Sequence, residues 1–115
     1  MNPYAEFLLK KERNERAERC RLSERTIKRM KAIAPELIHR FPGIRSVIVF
    51  GSAAGRRMTE ESDVDVYIEP VTASQYWGIM SMLHHCFGRD VDVLTQNDDP
   101  FLIEEIKRSG EVIYG

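Results

Sequence analysis

The chain has 115 residues, of which 43% are hydrophobic and 30% are charged, and its formal net charge at neutral pH is -1. This length suits one domain with a modest core, and the composition excludes a disordered chain. No apolar run approaches the ~20 residues that a membrane-spanning helix needs, and the N-terminus lacks the features of a signal peptide, so we expect a cytoplasmic protein with no membrane partner.

Charge is divided unevenly along the chain. Residues 1–45 hold 12 Lys or Arg against 6 Asp or Glu, whereas residues 46–115 hold 5 against 12. Such asymmetry indicates a basic arm and an acidic site that attracts cations. A solvated helix with its own ion pairs explains the basic part equally well. We divide the chain into a basic N-terminal helical arm, residues 1–22, and a domain, residues 23–115.

The N-terminal third is predicted to be helical. Asn2 and Pro3 are typical of a helix start, because asparagine caps the first N–H groups and proline fits the first helical position. A first helix is predicted over residues 3–19. A second is predicted over residues 23–41, where apolar residues recur at helical spacing until a Pro-Gly pair ends the pattern.

Two segments in the middle of the chain are predicted to be strands. Residues 46–50 contain a short apolar run of the kind found in a buried strand. Over residues 63–69, apolar and polar residues alternate strictly, which is the period of a strand. Asp63 and Asp65 then lie on one face, with their α-carbons roughly 6.5 Å apart.

The C-terminal part alternates helices and strands. Residues 72–75 have the pattern of a capping box that opens a helix, and Gly88 is a natural stop. A third strand is predicted over residues 90–95, then a helix that ends near residue 108, and a last short strand over residues 111–114. These elements predict an α/β fold with a small mixed sheet, whose helices cover one face and leave the carboxylates on the open face.

The Asp63 and Asp65 pair suggests metal chemistry. Two like charges on one strand face repel each other, and their burial costs several kcal/mol unless a cation offsets it. Mg²⁺ prefers oxygen ligands, commonly carboxylates together with substrate phosphates, and two such ions can stabilise an in-line displacement. Taken alone, the pair is explained as well by a solvated strand face.

Gly51 and Ser52 follow the first strand at a point where a helical turn can begin. Glycine lacks the side chain that would keep backbone N–H groups from a ligand, serine adds a hydroxyl, and N–H groups at a helix start attract phosphate. Taken alone, an ordinary turn is the simpler interpretation. The combination of this turn with the aspartate pair, at a fixed spacing, is far more specific.

Gly51 and Ser52, followed after ten residues by Asp63 and Asp65, resemble the motif of the minimal nucleotidyltransferase (MNT) branch of the DNA polymerase beta superfamily. The resemblance covers about residues 24–115. It implies a polymerase beta-like fold. It also implies the transfer of a nucleoside monophosphate, with AMP from ATP as the favoured case, to a hydroxyl acceptor with release of pyrophosphate.

The resemblance further implies roles for three carboxylates. Asp63 and Asp65 would bind two Mg²⁺ ions, and Asp92 on a neighbouring strand would complete the metal site and help to deprotonate the attacking hydroxyl. Asp90 is the alternative third carboxylate. It is less favoured because the third aspartate of the family lies between apolar strand residues, as Asp92 does.

In the family that the motif resembles, the Gly-Ser turn holds the triphosphate, a role that falls here to Gly51 and Ser52. Relatives often carry Arg-Gly two residues after that turn, whereas this chain has Gly55 and Arg56 in those places. Either Arg56 or Arg57 would then reach the triphosphate, and the sequence does not decide between them.

The resemblance also implies partners. Such minimal proteins act as antitoxins beside a HEPN-domain toxin and can adenylylate its tyrosine, so we expect a HEPN-domain partner and a homo- or hetero-oligomer. A small alcohol such as an aminoglycoside is an alternative acceptor. A non-catalytic module that binds a nucleotide or a partner is the rival class, but three mutually repelling carboxylates argue against it. We do not expect nucleic acid as a partner, because the basic arm lacks interleaved aromatic residues.

Overall fold

A computed structural model describes residues 2–115. Helices and strands alternate along most of the chain after a long first helix. In chain order the elements are α1 (Pro3–Arg40), β1 (Ser46–Phe50), α2 (Gly51–Ala54), β2 (Val64–Glu69), α3 (Ala73–Phe87), β3 (Val91–Leu94), α4 (Pro100–Ser109) and β4 (Glu111–Tyr114).

The four strands form one mixed sheet in the order β3-β2-β1-β4. β1 is antiparallel to both β2 and β4, whereas β2 and β3 are parallel. The C-terminal end of β1 therefore lies at the same edge of the sheet as the N-terminal ends of β2 and β3. The predicted mixed sheet and its strands are confirmed.

Helix α1 is continuous, so the prediction of two separate helices was wrong. Ser23, expected to start the second helix, is buried inside α1, and its hydroxyl donates to the carbonyl of Arg19 at 2.8 Å. A serine that bonds four residues back continues a helix instead of capping a new one. No glycine or proline interrupts residues 4–34, and exposed ion pairs such as Lys11–Glu15 support the turns in between.

The predicted starts of α1 and α3 and the predicted end of α3 are confirmed. Asn2 caps α1 by accepting a hydrogen bond from the Ala5 N–H at 2.7 Å. At the start of α3, the Thr72 N–H donates to Oε1 of Gln75 at 3.1 Å, and Gly88 ends that helix in the left-handed conformation with φ 63°. Local capping chemistry thus sets these boundaries.

Helices α1 and α3 cover the first face of the sheet. Alternate residues of β1, β2 and β3 point toward these helices and form the main core. Its fully buried side chains include Val47, Val49, Val64, Val66, Ile68, Met30, Leu37, Ile79 and Leu83.

Helix α4 lies on the second face, so the prediction that helices cover only one face was wrong. Ile103 and Ile106, one turn apart on α4, pack with Ile48 and Tyr67. Apolar residues on this side of the sheet need cover, and the short α4 provides it. Tyr67 also donates a hydrogen bond to Glu69 at 2.6 Å within this second cluster.

The N-terminal half of α1 has no contact with the core. Residues 2–18 are exposed apart from Ala5, which is partly buried. Tyr4 is 70% exposed and Phe7 is 61% exposed. Among residues 2–115, no helix is long and apolar enough to cross a membrane.

Candidate functional site

The predicted site residues meet at one edge of the sheet. In the strand register, Phe50 at the end of β1 lies opposite Asp65, and Asp65 lies opposite Asp92 of β3. Gly51 follows Phe50 directly and begins the short helix α2. Three segments that are distant in sequence are therefore neighbours, because β2 pairs with β1 on one side and with β3 on the other.

Gly51 and Asp65 are in close contact. A Cβ placed on Gly51 would collide with the carboxylate Oδ2 of Asp65 and lie 3.1 Å from its Cγ. Gly51 also has φ 68°, in the left-handed region that side chains disfavour. Glycine is therefore required at position 51 for its conformation and for its lack of a side chain.

Asp65 is the electrostatic centre of the group. Burial is the largest cause that raises the pKa of its carboxyl, followed by the charges of Asp92 and Asp63, and together they bring it to about 6. Asp63 and Asp92 themselves are exposed. Among residues 2–115, no Lys, Arg or His forms an ion pair with any of the three. The repulsion between these carboxylates is therefore not offset by a basic side chain.

The structure brings Asp92, and not Asp90, next to Asp65. Asp90 precedes β3, and its carbonyl accepts a hydrogen bond from the Val64 N–H at 3.0 Å. Its carboxylate lies 3.9 Å from Nδ1 of His84, on the helix that covers the first face of the sheet. Asp90 is also absent from the charges that raise the pKa of Asp65.

The three carboxylates fit a hard cation by their chemistry. Oxygen ligands without a basic partner are the donors that Mg²⁺ prefers, and it normally keeps water or substrate oxygens in its other positions. Within the described part of the chain, no group of three or more His, Cys, Asp or Glu side chains closes around one ion. Their oxygens are therefore not gathered around one point in this structure.

Helix α2 is a four-residue turn beside these carboxylates. Its carbonyls accept backbone bonds from the residues that follow: Gly51 from the Gly55 N–H at 3.0 Å, and Ser52 from the Arg57 N–H at 2.8 Å. The Ser52 hydroxyl is half-buried and has no hydrogen-bond partner within residues 2–115. It is thus available to a ligand at the turn.

Arg56 and Arg57 differ in what they contact. The Arg56 guanidinium donates to the carbonyls of Ala53 and Ala54 at 3.4 and 3.2 Å, and it lies 3.6 Å from Glu111 at the start of β4. The Arg57 guanidinium lies over Gly55, where a Cβ would be 2.7 Å from its Nε.

Arg57 is exposed and has no ion pair with any residue of the described chain. Of the two arginines, it is the one without a carboxylate partner in this structure. Sequence reasoning missed Glu111 as the partner of Arg56. The only available signal was the short strand predicted at residues 111–114.

A large groove lies away from the carboxylates. It has a volume of about 1220 Å³ and runs along α1 beside the loop that contains Met58 and Glu60. Basic residues such as Arg25 and Lys28 line it together with acidic ones such as Glu18. Because its charges are mixed, the groove selects no class of charged ligand, and we locate the candidate site at Asp65.

Solved structures share this fold. A toxin–antitoxin complex with AMP-PNP has a TM-score of 0.65 and 18% identity, over 74% of this chain and 73% of that chain. A complex of a tri-AMPylated HEPN toxin with an MNT antitoxin from Shewanella oneidensis has a TM-score of 0.59 and 16% identity, over 77% and 72%. A putative nucleotidyltransferase from Sulfolobus solfataricus has a TM-score of 0.53 and 20% identity, over 85% of each chain. These three likenesses show a shared fold.

The family model described as "Polymerase beta, Nucleotidyltransferase" matches residues 31–115. The chain belongs to this family. A search of curated proteins finds no significant match. The predicted fold, the predicted nucleotidyltransferase class and the resemblance to MNT proteins are confirmed. The exposed half of α1 lies outside the matched residues.

Proposed function

We propose that this chain transfers a nucleoside monophosphate, in the favoured case AMP from ATP, to a hydroxyl group. The observation that carries the proposal is the group of Asp63, Asp65 and Asp92 beside Gly51, with the pKa of Asp65 raised to about 6. Carboxylates that lack basic partners and lie next to a glycine turn are suited to a site that binds a metal ion together with phosphate. The family match supports the same reaction class.

In this proposal, Asp63, Asp65 and Asp92 would hold two Mg²⁺ ions, and bound metal would supply positive charge near the reacting phosphate oxygens. Asp92, the exposed carboxylate beside Asp65, accepts the proton of the attacking hydroxyl. The acceptor oxygen forms a bond to the α-phosphorus, and the bond from that phosphorus to pyrophosphate breaks. The role of the protein is to orient the two reactants in line.

The triphosphate is assigned to the α2 turn. Gly51 brings the start of the turn against the Asp65 carboxylate, Ser52 offers a free hydroxyl, and Arg57 offers a guanidinium that no carboxylate of the described chain neutralises. Guanidinium groups bind phosphate oxygens strongly because their donors form a planar fork. Arg56 is left out of the phosphate contacts, since its donors are used by Ala53, Ala54 and Glu111.

The acceptor is proposed to be a tyrosine of a HEPN-domain partner in the cytoplasm, which gives the chain an antitoxin role. Support comes from structural neighbours described as toxin–antitoxin complexes, one with AMP-PNP and one with a tri-AMPylated HEPN toxin.

The test uses ATP labelled at the α-phosphate, Mg²⁺, this chain and the protein encoded by the neighbouring gene. We expect label on the partner's tyrosine, and a loss of at least 100-fold in the transfer rate with Asp65→Asn. ATP labelled at the γ-phosphate is the matched control, because it should label only the released pyrophosphate. No label on the partner, on this chain or on an aminoglycoside would overturn transferase activity, and label on the aminoglycoside alone would overturn the partner assignment.

A further inference from the structure

Arg56 has an unusual backbone conformation. Its φ is 58°, and it is the only residue other than glycine with a positive φ among residues 2–115. The left-handed region is unfavourable for a residue with a Cβ, because the Cβ approaches the following carbonyl oxygen. Such a residue persists only where its surroundings hold it in place.

The backbone around Arg56 closes the α2 turn. The Arg56 N–H donates to the carbonyl of Ala53 at 3.1 Å, and the Arg57 N–H donates to the carbonyl of Ser52 at 2.8 Å. These two bonds make the Schellman pattern that ends helices, in which glycine usually takes the left-handed position. Arginine takes that position here.

The side chain of Arg56 makes further contacts that hold the α2 turn. Its guanidinium donates to the carbonyl of Ala53, which also accepts the Arg56 N–H, and to the carbonyl of Ala54, which the end of a helix otherwise leaves unpaired. It also forms an ion pair with Glu111 at 3.6 Å. Glu111 pairs in register with Val49, two residues before Gly51. The turn is thus tied to the strand from which it starts.

We propose that Arg56 is a positioning residue that clamps the α2 turn, through its backbone conformation and through Glu111, and so fixes Gly51 against Asp65. Arg57 is thereby left free for the ligand. The inference rests on the proposed function, in which the α2 turn holds the nucleotide phosphates. The clamp itself is a property of the protein without nucleotide and can be measured separately.

Arg56→Gly is the informative variant, because glycine adopts the left-handed backbone readily while the whole side chain, with its guanidinium, is removed. We expect the amide hydrogens of Gly55 and Arg57 to exchange about fivefold faster in the nucleotide-free variant, the size of effect given by the loss of one cap. We also expect AMP-PNP to bind about fivefold more weakly, and Arg56→Lys to restore part of both losses.

Arg57→Ala should give the opposite signature, with unchanged amide exchange and weaker AMP-PNP binding. Glu111→Gln should act in the same direction as Arg56→Gly but by a smaller factor, because an exposed ion pair contributes little. Glu105→Gln is the matched control. It removes the exposed ion pair with Arg108 on α4 and should change neither measurement.

Unchanged amide exchange in Arg56→Gly would overturn the clamp, whether or not the protein binds nucleotide. Faster exchange with unchanged AMP-PNP affinity would overturn the positioning role while leaving the proposed function intact. If the wild-type chain binds no AMP-PNP, the proposed function fails, and the exchange data still decide the clamp. Should Arg56→Gly not fold, Arg56→Lys and Glu111→Gln allow the same comparison.

Discussion

At the scale of single residues, Gly51 and Asp65 show how one side chain can determine which residue type its spatial neighbour must be. The left-handed φ of Gly51 and its contact with the Asp65 carboxylate both exclude a Cβ. Gly88 has nearly the same φ, but a Cβ there would meet no atom within 4 Å. Substitution of these two glycines therefore separates the free-energy cost of backbone strain from the free-energy cost of a steric collision.

Gly51→Ala is expected to lower the free energy of unfolding by about 3 kcal/mol, against about 1 kcal/mol for Gly88→Ala. The difference arises because only Gly51→Ala adds a collision to the backbone strain. Urea denaturation of both variants measures it. Equal losses in the two variants would contradict the contact between position 51 and Asp65.

Asp65 should make stability depend on pH. Its folded pKa of about 6 lies above the ordinary value of 3.8, so the folded state binds the proton more tightly than the unfolded state. The resulting stabilisation is complete below pH ~4 and is lost as the pH rises through ~6.

In Asp65→Asn this loss is absent. We expect the metal-free variant to be more stable than the wild type by about 1 kcal/mol at pH 7, a modest value because solvent screens a half-exposed group. At pH 4 the gain should disappear. Urea melts at both pH values in the presence of a chelator provide the measurement, and a gain of equal size at pH 4 would exclude repulsion as its cause.

At the scale of elements, Ser23 joins α1 to the loop that follows α2. Its buried hydroxyl donates to Arg19 within the helix and accepts a hydrogen bond from the Met58 N–H at 3.0 Å. Removal of the hydroxyl leaves a buried N–H without a partner, so Ser23→Ala should cost about 2 kcal/mol.

Ser109→Ala is the matched control for Ser23→Ala. Ser109 donates to the carbonyl of Glu105 at 2.9 Å in the same pattern, but it is exposed and receives no bond from another element. Thermal unfolding should therefore show a clear loss for Ser23→Ala and little change for Ser109→Ala. Similar melting temperatures for the two variants would count against the link that Ser23 makes between α1 and the loop after α2.

Local patterns predicted the strands, the caps and the aspartate pair, because two-residue alternation and capping residues act within a few positions of sequence. The continuity of α1 could not be predicted in this way, since the role of Ser23 depends on Met58, 35 residues later. The covered second face depends on how α4 packs with Tyr67. The different roles of Arg56 and Arg57 depend on where β4 places Glu111.

At the scale of the whole molecule, the exposed half of α1 does not pack against the domain. Because residues 2–17 have no contact with the core, their deletion should change the free energy of unfolding by less than about 0.5 kcal/mol. Tyr4, Phe7 and Leu8 share one helical face and are exposed, which is typical of a surface that binds another subunit.

We therefore expect the full chain to form a larger assembly than the chain without residues 2–17. Scattering and size-exclusion measurements at equal concentrations test this, with Tyr4→Ser, Phe7→Ser and Leu8→Ser combined in one chain of full length as the control for helix length. An unchanged assembly size in both variants would refute a role of the arm in association.

The continuity of α1 has a geometric consequence. From Ser23 to Phe7 the helix extends ~24 Å, at 1.5 Å per residue, without a break. A subunit that bound both Phe7 and the domain would depend on the length of the helix and also on the direction in which Phe7 points around the helix axis. Two extra residues between positions 10 and 18 would turn Phe7 by ~200°, to the far side, whereas four would bring it back to within ~40° of its place. The arm would then fix both the distance and the angle between Phe7 and the domain.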